Sequence, residues 1–108
     1  MNRADLLKRY DEMLRLSQQM LASARQSDWD RLIEIEKLRA AIADSLVKQD
    51  DEILWDAADT ARKAKLIRAV LDTDAEIKSL TALWMGELQA KLGSIGSEKK
   101  LQRAYEIP

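Results

Sequence analysis

What most limits the folds open to this chain is a long apolar helical stripe in its second half. Leu66, Val70, Ile77, Leu80, Trp84, Leu88 and Leu92 recur at helical spacing with no proline among them. Thr73 and Asp74 interrupt the stripe without shifting its phase. A single helix from about Glu52 to Leu92 would be roughly 60 Å long, while the two apolar segments before it suffice for helices of about 30–36 Å. A three-helix core cannot cover the whole stripe, so part of it must meet something else.

Composition agrees with this helical reading. Charged residues make up 34% of the 108 residues, with three glycines and one proline. Such a mixture, with helical periodicity, predicts an all-α fold. We expect one domain over residues 1–108, an antiparallel helical bundle of three main helices, the third very long, plus a short C-terminal helix. The predicted helices span roughly 4–25, 28–48, 52–92 and 97–105. Phe is absent, so Leu, Ile and Ala must supply most of the core.

Several function classes are disfavoured. The net charge of −1 provides no basic field for nucleic acid. The chain has no Cys and no His, which removes thiol chemistry, the commonest general base and the commonest metal ligand. Gly86, Gly93 and Gly96 match no phosphate-binding loop. Carboxylates are plentiful, but no spacing singles out a catalytic pair, and no arginine constellation suits a dicarboxylate substrate. We therefore expect no enzyme activity, no cofactor and no metal. The N-terminal segment mixes Arg3, Asp5, Lys8 and Arg9 with apolar residues. It resembles neither a signal peptide nor a membrane span, and a cytosolic location follows as the default.

In the first helix, Leu7, Tyr10, Leu14, Ser17, Leu21 and Ala24 fall on heptad a and d positions. Leu6, Met13 and Met20 widen the stripe, as suits a helix with two neighbours. Leu16 lies off the stripe and is expected to be exposed. Ser27 with Asp30 resembles a capping box for the second helix. That helix carries one stripe of Leu32, Ile35, Ile42 and Leu46 and another of Trp29, Ile33, Ala40 and Val47, which predicts a helix sandwiched between others. Glu36 falls between the two stripes; it is either a partly exposed ion-pair partner of Arg39 or of a cation on the third helix, or a specificity device or partner contact. Asp50 or Asp51 is placed to cap the third helix. Arg62, Lys63, Lys65 and Arg68 read as a solvated basic face. Thr73 and Asp74 suit a polar seam position that fixes register at some cost in stability. Gly86 is either tolerated on an exposed face or permits a close approach, and Gly93 suits a C-terminal cap.

At this point the third helix and its tail carry a family resemblance. The run LDTDAEIKSLTALWMGELQAKLG (Leu71–Gly93), followed after twelve residues by Tyr105 in Ala104-Tyr105, resembles the FliT family of flagellar export chaperones. Trp29-Asp30 with Leu32, Ile33 and Glu36 is similar to the same family. The resemblance implies a cytosolic chaperone that binds the C-terminal part of the filament-cap protein FliD. It also implies contacts with the export ATPase FliI, with FliJ and with the membrane platform FlhA. Some members bind the regulator FlhDC and lower flagellar gene expression. The last helix of such proteins folds back over the binding surface, a role that falls here to Leu101, Ala104 and Tyr105. This chain ends three residues after Tyr105, so its covering helix would be short.

Two binding readings stay open. In the first, Leu66, Val70, Asp74, Ile77, Leu80, Trp84, Leu88 and Leu92 line a groove for a client helix, with Met13, Met20 and Met85 adding adaptable surface. In the second, the stripe from Ile77 to Leu92 pairs with a second copy, giving a coiled-coil homodimer of regulatory or structural role. Taken singly, each of these residues equally suits an ordinary bundle core. The periodicity suggests that the part near Leu66 and Val70 packs on the first two helices and that the rest is left over.

Overall fold

The computed structural model describes residues 2–50 and 53–94. Three α-helices follow one another: α1 (Arg3–Arg25), α2 (Trp29–Asp50) and α3 (Ala57–Ser94), with no strand among the described residues. The fold is all-α. The expected fourth helix, with Leu101, Ala104 and Tyr105, lies outside the described residues.

Local hydrogen bonds set the helix ends. The Asn2 side chain accepts the Asp5 amide at 2.9 Å and caps α1. At the other end the Asp28 amide donates to the Ser23 carbonyl (2.8 Å) and the Ser27 amide to that of Ala24 (3.1 Å). These two bonds form a Schellman turn, whose pivot must be left-handed. Ser27 supplies that pivot at φ 57°, a conformation costing a non-glycine residue about 1–2 kcal/mol. Ser27 is therefore not the cap of α2. Asp28 takes that place, accepting the Arg31 amide at 3.3 Å. So short a connection needs one residue to reverse the chain and the next to start the new helix.

The third helix begins at Ala57 rather than near Glu52. Asp56 caps it: its side chain accepts the Asp59 amide at 2.7 Å and its carbonyl that of Thr60 at 2.9 Å. The Asp59 amide, and after it the Arg3 guanidinium, hold the Asp56 carboxyl below its ordinary range despite an opposing desolvation. Asp50 cannot serve as this cap because it closes α2 and spends its carboxylate on Tyr10 and Lys63. From Ala57 the helix is continuous through Thr73, Asp74 and Gly93. The Thr73 hydroxyl folds back onto the Ala69 carbonyl at 2.8 Å, so it leaves no unpaired donor in the seam.

The central helix is α1, which packs against both α2 and α3, whereas no Cα of α2 comes within 8 Å of one in α3. The short turn makes α2 antiparallel to α1. Ion pairs show α3 running parallel to α1: Arg3 meets Asp56 at 2.7 Å, Asp11 meets Arg62 at 3.1 Å and Arg25 meets Glu76 at 3.0 Å. Leu6, Leu16, Met20, Ile35, Ile42, Leu46 and Ile77 form the buried cluster. Leu16 is only 6% exposed, contrary to expectation, because a helix with neighbours on two sides buries a wider sector than one heptad seam.

The second stripe of α2 departs from expectation in the other direction. Ile33 is 50% and Val47 75% exposed. With α3 standing away from it, α2 is packed on one face only. At the far end Trp29 meets Trp84, ring centroids 5.0 Å apart and tilted by 43°. Beyond that contact, residues 85–94 carry α3 about 15 Å past the α1–α2 pair. No helix among the described residues is long and apolar enough to cross a membrane.

Candidate partner-binding groove

The gap between α2 and α3 is an open apolar groove with α1 as its floor. Tyr10 and Met13 rise from the floor, Ala40 and Ala43 line the α2 wall, and Ile67 and Leu71 line the α3 wall. The main cavity has a volume of about 370 Å³, and an adjoining one reaches Leu46, Val47 and Asp50. Helical spacing explains each wall. On α2, the sequence Ile33, Glu36, Ala40, Ala43, Val47 advances by alternating steps of three and four, and so does Ile67, Leu71, Asp74 on α3. Both rails look outward: on α3 Leu71 is 59% and Ile67 36% exposed, and on α2 Ile33 and Val47 are exposed as well.

Two ionic ties cross this groove. Arg39 reaches from α2 to the Asp74 carboxylate on α3, and the same nitrogen donates to the Ser17 hydroxyl at 2.9 Å. Ser17 is fully buried and donates to the Met13 carbonyl at 2.8 Å, so it is satisfied both ways. Asp74 thus holds the polar seam position expected of it, with its partner on α2. The second tie joins Asp50 to Lys63 at 2.6 Å. The Lys63 ammonium stands 4.8 Å from the centre of the Trp55 ring, a cation–π contact. Beneath it the Tyr10 hydroxyl donates to Asp50 at 3.1 Å.

Burial, followed by the charge and the hydrogen bond of Asp50, pushes the Tyr10 hydroxyl up to about 12 from an ordinary 10.0. The sign follows directly. An unfolded tyrosine ionises near pH 10 and the folded one resists to about 12, so its contribution is complete below pH 10 and is lost as pH rises through 12. Urea midpoints measured from pH 9 to 12 should fall more steeply for the native chain than for Tyr10→Phe.

The predicted partner residues are divided by this geometry. Val70 and Asp74 line the groove. Ile77 is buried at 8% exposure in the core cluster, so the surplus stripe starts later than periodicity suggested. Leu66, Leu80, Trp84, Leu88 and Leu92 are half-buried, and Trp29 covers Trp84 in part. Met13 lines the groove, Met20 is core at 3% exposure, and Met85 is 43% exposed on the overhang. Sequence reasoning missed Ala40, Ala43, Ile67 and Leu71 as a shared surface. The signal for the α2 wall was its second apolar stripe, read as a packed face. In the basic run, Arg62 and Lys63 are matched by Asp11 and Asp50. A Cβ added at Gly86 would meet nothing within 4 Å, which fits an exposed, tolerated glycine.

Comparison with known proteins gives a consistent result. A family profile described as "Flagellar protein FliT" matches residues 7–107. A flagellar protein FliT of Pectobacterium carotovorum is 31% identical over 102 residues, covering 93% of this chain and 79% of the relative. One from Yersinia enterocolitica is 29% identical over 104 residues, with 93% and 83% covered. One from Photorhabdus laumondii is 25% identical over 104 residues, with 96% and 83% covered. No solved structure matches the chain.

Proposed function

This chain belongs to the FliT family of flagellar proteins, and we propose that it works as a flagellar export chaperone by holding a client helix in the groove between α2 and α3. The client is the C-terminal region of the cap protein FliD. The observation that carries this reading is the groove itself: two exposed apolar rails at helical spacing over an apolar floor, with no protein segment between them among the described residues. Helix-in-groove recognition buries an amphipathic segment that would otherwise aggregate. Leu80, Trp84, Leu88 and Leu92 extend the contact along α3 past the ends of α1 and α2. The work is binding in the cytosol rather than catalysis. Delivery engages FliI, FliJ and FlhA, and regulation of flagellar genes passes through FlhDC. Leu101, Ala104 and Tyr105 restrain the surface until a client arrives.

A second reading has its own observation. Leu83, next to the Trp29–Trp84 contact, is 61% exposed and Met85, at the start of the overhang, 43%, a surface on which two copies of the free chain would pair. Sedimentation of the chain alone, and then with a peptide of the FliD C-terminal region, tests both. We expect a complex of the chain with the peptide. A dimer that the peptide leaves unchanged, with no peptide co-sedimenting, would reject the chaperone reading and favour the dimer.

A further inference from the structure

One charged residue of the groove, Glu36, stands outside its ionic ties. Glu36 lines the cavity on the α2 wall, at the heptad position between Ile33 and Ala40. The other charges of the groove are neutralised in place: Arg39 by Asp74 and Lys63 by Asp50. Lys37 follows Glu36 directly, but one step along a helix turns about 100° away, so the two side chains do not share a face. Arg39, three residues on, is turned across the groove and is committed to Asp74 and Ser17. Glu36 is exposed, and its side chain makes no ion pair or hydrogen bond to the described residues. A single polar residue in an apolar helical seam sets register and partner choice, because a mismatched partner leaves it desolvated and unpaired.

We propose that the occupant of this groove is an amphipathic helix with a lysine or arginine at the edge of its apolar stripe, seated against Glu36. The proposal rests on the reading of the groove as the client site. The three-and-four spacing of both rails selects a helix over an extended segment, since only a helix repeats its side chains at that interval. The small Ala40 and Ala43 beside Glu36 let the backbone of that helix approach closely. The unmatched carboxylate then supplies the charge choice. A helix with an acidic residue at the same place is repelled, and one with no charge there leaves Glu36 covered without a partner.

Two fluorescein-labelled synthetic helical peptides, identical except for lysine or glutamate beside a leucine stripe, test this against the full chain below their self-association concentration. Anisotropy titrations should show the lysine peptide binding about fivefold more tightly at low salt, with the margin shrinking as salt screens the pair. Glu36→Lys, a change at an exposed position, should reverse the preference. Equal affinity of both peptides for the native chain, or an unreversed preference in Glu36→Lys, overturns the charge assignment while the groove stands. If neither peptide binds, or if filling the groove with Ala43→Trp leaves binding untouched, the groove reading fails and takes this proposal with it.

Discussion

Leu6→Ala is expected to destabilise the protein by about 3 kcal/mol, read as a lower urea midpoint with an unchanged slope. Leu6 has no exposed surface and belongs to the cluster that joins all three helices. Truncation removes its burial and leaves a cavity, because α1 is held from both sides and cannot close over the gap. Domains of this size are stable by only about 5–15 kcal/mol, so a large share of the total is lost. Leu54→Ala is the matched control. Leu54 is 93% exposed, and its truncation should move the midpoint by less than about 0.5 kcal/mol. Equal effects of the two would mean that α1 is not packed as described.

The largest effect on binding is expected from Ala43→Trp. Ala43 lines both the main cavity and its neighbour, so an indole there fills the centre of the groove. Affinity for the FliD C-terminal peptide should fall by at least about 30-fold, equivalent to about 2 kcal/mol, the loss of one buried anchor. Thermal stability should stay level or rise, since the added ring covers exposed apolar surface without displacing core. Retained peptide affinity in a folded Ala43→Trp protein would move the client site elsewhere, with the α3 overhang next to be tested.

Much of this fold is legible in the order of its residues. The broad stripe of α1 correctly signalled two neighbours, and the surplus length of α3 is real. What failed shares a cause. An apolar face reads the same whether another helix covers it or a partner does, so periodicity alone cannot tell the exposed Ile33 and Val47 face of α2 from a packed one. Leu16 failed because one heptad seam describes one neighbour, and α1 has two. The start of α3 was misplaced because Asp50, Asp51 and Asp56 are all good caps by type. Only the distant pull of Tyr10 and Lys63 on Asp50 leaves Asp56 with the task. The Arg39–Asp74 tie, between residues 35 positions apart, has no local signature at all.

The central place of α1 also bears on the order of assembly. Of the three helices, the one made first is the one that both others need. The hairpin of α1 and α2 closes through a short turn and can form early, since local contacts cost little chain entropy. It leaves one side of α1 bare. The matching contacts on α3 lie more than 50 residues away in sequence, as between Arg3 and Asp56 or Asp11 and Arg62. A nascent chain therefore carries a half-clothed hairpin until α3 has been made as far as Ile77. Residues 85–92 of α3, beyond Trp84, contribute no member to the buried cluster. The buried cluster is therefore complete once α3 has been made as far as Ile77, before its last turns are added.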